Sequence, residues 1–164
     1  MTSSVHPADF GGVAAGDAIC QARAMGSGLT GTFKAWLATP TTFAWVGHTE
    51  GTGPYVRIDG TVIAANFTAF VNAYAHQAPV DQTEDGGATP VVASPCASEH
   101  VVWTGSSPSL DLTHTCGGWT NLDAGSAILG NADSLQNWEY GCLLGGYIEP
   151  PPCSLRAPLY CVEQ

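Results

Sequence analysis

A chain of 164 residues with 45% apolar and 11% charged side chains is long enough to close one hydrophobic core and too poor in charge to be a disordered tail or a coiled coil. Four basic side chains against fourteen acidic ones leave a net charge of −10, which repels phosphate and sulfate groups and removes the counterion release that drives nucleic-acid binding. DNA, RNA and heparin are excluded as expected partners. The longest apolar runs fall far short of the roughly 20 residues of a membrane-spanning helix, so no membrane insertion is expected.

Six cysteines, Cys20, Cys96, Cys116, Cys142, Cys153 and Cys161, make none of the paired CxxC or Cys/His spacings of a structural zinc site. Disulfides are the expected reading. Bridges persist in oxidising compartments, so the expected address is extracellular or cell-surface, with the periplasm as a variant. Residues 1–10 hold neither a basic segment nor an apolar run, and the chain reads as a portion of a longer precursor. With no internal repeat and no long linker, residues 1–164 are expected to form a single domain.

In chain order, residues 13–25 (VAAGDAICQARAM) are rich in helix formers and stop at Gly26 and Gly28, which predicts a helix with Cys20 facing inward. Residues 32–38 (TFKAWLA) alternate and then meet Pro40, as a strand would. Residues 55–64 (YVRIDGTVIA) read as a hairpin around Asp59 and Gly60, the pair that a two-residue type I′ turn favours. Asn66 is placed to cap a short helix whose Phe67, Phe70, Val71 and Tyr74 share an inward face. Residues 79–95, with two adjacent glycines and several prolines, are a loop. Strand character returns at residues 100–104 (HVVWT) and 159–163 (LYCVE), with a long irregular stretch between them that needs a function or cross-links to hold it.

The run GDAICQARAMGSGLTGTFKAWLA, residues 16–38, resembles the opening of endostatin, the C-terminal domain of certain collagens, and of bacterial lectin-like domains related to it. Three further blocks agree in order: VVWTGS at residues 101–106, CGGWTN at 116–121 with GSAILG at 125–130, and CSLRAPLYCVEQ at 153–164. The likeness spans nearly the whole chain, with residues 39–98 closer to the bacterial relatives than to endostatin. It implies an α+β, C-type-lectin-like fold: a twisted antiparallel sheet, one or two helices, a long irregular loop region and three disulfides. In that fold the helix cysteine joins the last strand, here Cys20 to Cys161, with a nested bridge Cys116 to Cys153. Cys96 and Cys142 then pair by elimination.

The calcium site of sugar-binding C-type lectins is not expected here, because no Glu-Pro-Asn type tripeptide precedes Cys116 and Trp138 is followed by only one carboxylate, Glu139, where calcium takes about six to eight oxygens. Asp81, Glu84 and Asp85 beside a Gly-Gly turn are a second candidate for calcium, set against the preferred reading of a solvated acidic turn. Endostatin's N-terminal zinc and its heparin site are not carried over, since only His6 and Asp9 stand near the start and the cations are Arg23, Lys34, Arg57 and Arg156. Trp45, Tyr55, Trp119, Asn121 and Tyr147 are candidates for a ligand surface, the rings as platforms for sugars. For Trp119 packing in the core is preferred over ligand contact, and Trp36 and Trp103 are expected in the core.

No catalytic motif is recognisable: there is no G-x-S-x-G elbow, no H-E-x-x-H and no phosphate loop, and the five histidines are scattered. The chain is therefore expected to be no enzyme and to need no cofactor. The expected function is an extracellular module that binds or adheres to a glycan or protein ligand, with the irregular region 100–153 as its contact surface. The alternative is a structural or assembly domain of a surface protein or fibre.

Overall fold

The computed structural model describes residues 1–96, 98–106, 112–141, 143–144, 147–148 and 150–164, with residues 143, 144, 147, 148 and Ala73 by backbone alone. Helix α1 (Val13–Gly26) matches the expected span. Its buried residues Gly16, Cys20 and Ala24 recur every four positions, one stripe of a 3.6-residue repeat. That stripe lies on β1 (Phe33–Ala35). Two α1 side chains close the outer edge of β1: Gln21 Oε1 accepts from Phe33 N at 2.8 Å, and Asp17 Oδ1 accepts from Ala35 N at 2.9 Å.

The hairpin forms from β2 (Tyr55–Val56) and β3 (Val62–Ala64). Its turn differs from the expected type I′, which needs positive φ at both central residues. Only Gly60 has it, at 86°, and Gly60 N bonds Arg57 O while Arg57 N bonds Thr61 O. This is a longer loop closed by a glycine bulge, a form that leaves Asp59 in ordinary backbone. Helix α2 (Phe67–Val71) is capped by Asn66 Oδ1 accepting from Ala69 N, as expected. It ends too soon to carry Tyr74 inward, and Tyr74 is 75% exposed on the following turn.

The central layer is built from four strands. β4 (Val101–Trp103) pairs antiparallel with β5 (Leu129–Asn131), and the last strand, β8 (Cys161–Glu163), pairs antiparallel with β1. A parallel bridge between Trp103 and Leu159 joins the two pairs. Between them in sequence lies a further small hairpin, β6 (Leu143–Leu144) and β7 (Tyr147–Ile148). Both faces of the central layer are covered. Ala35, Leu37, Val101, Trp103 and Leu159 point to one core, while Trp36, Val102, Tyr160 and Val162 point to the other. That is the period of two expected of strands, but with no solvent face, so β4 is buried at every residue.

The first core holds both disulfides seen among the described residues, Cys20–Cys161 and Cys116–Cys153, with Cα separations of 5.4 and 5.7 Å. These are the two pairings that the resemblance implied. The third expected pairing, Cys96–Cys142, reaches outside the described residues at Cys142, so the bridges described are two rather than three. The chain is thus a small α+β protein of few helices and short antiparallel sheets.

The CGGW run has an unusual backbone. Cys116, Gly117, Gly118 and Trp119 all have positive φ, at 50, 63, 72 and 69°. Trp119 N bonds Thr115 O and Thr120 N bonds Cys116 O, which makes one left-handed turn of helix. Such a turn is disfavoured for L-residues by roughly 1–2 kcal/mol each. The Cys116–Cys153 bridge, the burial of Trp119 and its Nε1–H donation to Ala38 O at 2.7 Å hold it in place.

Two outcomes are expected. A Cβ on Gly118 would touch only Pro40, at 3.6 Å, so Gly118→Ala should lower stability by the conformational term alone, about 1–2 kcal/mol in urea unfolding. Replacing Cys20 and Cys161 together by serine opens a loop of 141 residues in separation and should lower stability by up to about 5 kcal/mol on the chain-entropy account, read by the same measurement.

Candidate functional site

The three acidic residues of the 81–85 loop do not converge. Asp81 Oδ1 accepts from Arg57 at 2.5 Å, Glu84 lies 3.0 Å from Arg23 Nε and also accepts from Ser3 N and Oγ, and Asp85 Oδ1 accepts from Thr83 Oγ1 and Gly87 N. Among the described residues no group of His, Cys, Asp or Glu is placed to hold a metal ion. Glu84, only 9% exposed, is also not the solvated acid of the preferred reading. It ties the loop to the N-terminal segment and to α1. The Asp85 carboxyl is held below its usual range by the Thr83 hydroxyl and then by the Gly87 N–H.

The proposed ligand surface separates in the same way. Trp119 is fully buried, stacked on Phe10 at 5.6 Å, and is a core residue, as the preferred reading had it. Asn121 is exposed and its Oδ1 accepts from Asp123 N. Trp45 is half-buried and stacks face to face on Phe43 at 4.5 Å. The side chain of Tyr147 lies outside the described residues. Of the four whose side chains are described, Tyr55 is the one that lines the main cleft.

That cleft, of about 640 Å³, opens between β8 and the β2–β3 hairpin, away from the 100–153 region where the contact surface was expected. Leu29, Phe33, Pro54, Tyr55, Val56 and Ile58 give it apolar walls, and the Cys20–Cys161 bridge and Tyr160 also line it. Tyr55 is fixed by stacking on buried Phe70 at 4.6 Å and by its hydroxyl accepting from Gly51 N at 3.2 Å. Val56 and Ile58 remain about half exposed, at 51 and 48%. The hairpin that carries them is held by Arg57, which donates to Asp81, Asp59 and Thr61.

Beneath the cleft lies an aromatic cluster around a buried carboxyl. Trp36, Phe70, His76, Trp138 and Tyr160 pack with ring centroids near 5 Å, and Trp36 Nε1–H donates to Glu139 Oε1. Glu139 is thus turned into the interior rather than toward a calcium ion at the surface. Burial pushes its pKa up to about 7, and the Trp36 hydrogen bond opposes this in part. Burial likewise raises Tyr160 well above the phenol range, with the nearby Glu139 acting in the same direction. The Tyr160 hydroxyl, Trp138 Nε1 and His76 Nδ1 are buried without a hydrogen-bond partner among the described residues.

Compared with known families and with curated proteins, the chain matches none. The cleft therefore rests on its own geometry. Leu29, Phe33 and Ile58 carried no functional signal in the sequence, because an apolar residue on a cleft wall has the same pattern as one in a core. Tyr55, an aromatic next to a hairpin turn, was the only wall residue a linear reading singled out.

The buried Glu139 gives a pH signature. Its folded pKa of about 7 lies above the ordinary 4.5, so in that interval the folded protein keeps a proton that the unfolded chain has lost. Stability from this group is greatest below pH 4.5 and declines as pH rises to about 7. His48, pushed down to about 4 by burial, acts in the opposite sense: its contribution is full above pH 6.5 and is lost as pH falls toward 4. The two slopes mask each other in the wild type. Glu139→Gln keeps an oxygen for Trp36, and its stability relative to wild type should rise by about 2–3 kcal/mol between pH 5 and pH 8. Urea unfolding at the two pH values checks it, and a constant difference would contradict the buried carboxyl.

Proposed function

We propose that the chain is an extracellular, non-catalytic binding module of C-type-lectin-like fold, and that its ligand is a protein segment seated in the cleft beside β8. The observation that carries this reading is the cleft itself: a concave, largely apolar surface of about 640 Å³ with a fixed aromatic, Tyr55, and half-exposed Val56 and Ile58 on one wall. Binding sites for discrete ligands have this size and character.

Several features support the fold and the address. The helix-to-last-strand bridge and the nested bridge sit at the positions the family resemblance assigns them. Disulfides persist in oxidising compartments, and no described helix is long and apolar enough to cross a membrane. A protein ligand is favoured over a glycan because the carboxylates singled out for calcium in the sequence are committed elsewhere, Asp81 to Arg57, Glu84 to Arg23, Asp85 to Thr83 and Gly87, and Glu139 to Trp36. The walls offer methyl and ring surface instead.

The test is selection of a random heptapeptide display library on the oxidised domain, beside a glycan array probed with and without calcium. Ile58→Asp is the counter-target, a change at an exposed wall position that leaves the core intact. Peptides enriched on the wild type should lose at least about tenfold in affinity on the variant. Glycan binding without peptide enrichment, or peptides indifferent to Ile58→Asp, would overturn the reading.

A further inference from the structure

β8 pairs with β1 through alternate residues. Trp36 N donates to Tyr160 O at 3.0 Å, Gln164 N donates to Thr32 O at 2.9 Å, and Lys34 stands opposite Val162. In an antiparallel ladder the residues between, Cys161 and Glu163, direct their N–H and C=O groups to the other edge. The same edge is occupied one step earlier in the chain. Ala157 exchanges hydrogen bonds with His6 at 2.9 and 3.0 Å, and Leu159 O accepts from Thr2 N at 2.9 Å while Leu159 N donates to Thr2 Oγ1 at 3.0 Å. The strand-like segment from His6 to Thr2 thus runs antiparallel along the edge. It then leaves it, Met1 O accepting from Glu84 N.

Beyond that point the edge is open. The backbone groups of Cys161 and Glu163 have no hydrogen-bond partner among the described residues, and both residues line the cleft. The opposite edge of the pair carries no such opening, since Gln21 and Asp17 of α1 take the outward N–H groups of β1. An unpaired strand edge facing an apolar wall is the arrangement that accepts an added strand, with main-chain bonds supplying affinity and wall contacts supplying selectivity.

We infer that the cleft binds an extended peptide segment of a partner protein as an additional strand on the Cys161–Glu163 edge of β8, with alternate apolar side chains on the hairpin wall and a basic side chain near Glu163. The charge preference follows from the surroundings. The Glu163 carboxylate is exposed and makes no ion pair among the described residues, Arg57 is already engaged by Asp81 and Asp59, and the chain as a whole carries −10. The inference deepens the proposed binding function and rests on it.

The probe is a blocked heptapeptide alternating lysine and valine, with a glutamate–valine peptide as control. Binding is followed by NMR shifts and amide hydrogen exchange of the full domain. The lysine peptide should bind, slow exchange at the Cys161 and Glu163 amides, and outcompete the glutamate peptide by about tenfold. N-methylation of one alternate set of its amides should weaken binding about tenfold while methylation of the other set is tolerated, the signature of a one-edged ladder. Glu163→Pro removes the outward donor and leaves the bonds of Val162 and Gln164 with β1. It should weaken binding about tenfold with an unchanged unfolding midpoint. Glu163→Gln should erase only the lysine preference.

Binding with shifts confined to other surfaces, or equal tolerance of both methylation sets, overturns the strand-addition inference and leaves the binding function standing. Absence of binding by this peptide and by every library peptide overturns both. Self-association that protects the same two amides would give the edge to a second copy and overturn the choice of occupant.

Discussion

The last strand is the constraint on which the rest of the fold depends. β8 is only three residues long and could not hold a position by its own ladder. It is secured from several directions at once: β1 pairs along one edge, Cys161 is bonded to Cys20 of α1, Val162 and Tyr160 enter the aromatic core, and the preceding Leu159 meets both Trp103 and Thr2. Bringing residues 20 and 161 together is entropically demanding for a free chain, and the covalent bridge removes much of that demand from folding.

With β8 in place the central layer separates two cores of different character. The face of Ala35, Val101, Trp103 and Leu159 packs on α1 and the disulfides, where small residues allow the helix to come close. The face of Trp36, Val102, Tyr160 and Val162 packs on the hairpin, α2 and Trp138, and is mostly aromatic. Aromatic rings supply large buried area per residue, which suits a chain whose strands are too short to bury much by length. The same face encloses Glu139, so a deeply buried acid with a strongly raised pKa sits against the ring system that also floors the cleft.

The few cations are used as fasteners. Arg23 holds Glu84 and Ser3, joining α1 to the acidic loop and the N-terminal segment, and Arg57 holds Asp81 and Asp59, joining that loop to the hairpin. In a chain of such net negative charge these links serve geometry more than stability, since partly exposed ion pairs contribute little energy. They set the distance between the hairpin wall and the β8 edge. Among the described residues the arginine that lines the cleft, Arg57, is already held by carboxylates, whereas an extended, basic segment would meet unpaired backbone and the Glu163 carboxylate.

Much of this architecture was legible in the linear chain wherever a short-range rule governs. The 13–25 helix, the Asn66 cap, the hairpin at 55–64 and the strands at 101–103 and 161–163 follow from propensity, capping chemistry and alternation, which depend on neighbours in sequence. Where a long-range contact decides, the reading differed. The carboxylates at 81–85 were expected as a solvated acidic turn, yet Glu84 is buried against Arg23 and Asp81 is held by Arg57, and Tyr74 turned outward because α2 stops at Val71. Even the hairpin's turn type was settled by a glycine bulge rather than by the Asp-Gly pair alone. The sequence by itself determined the elements, the apolar alternation and the supply of cysteines. Only the tertiary structure decided which strand edge stays open, because an edge is a property of what does not arrive beside it, and no local pattern records that.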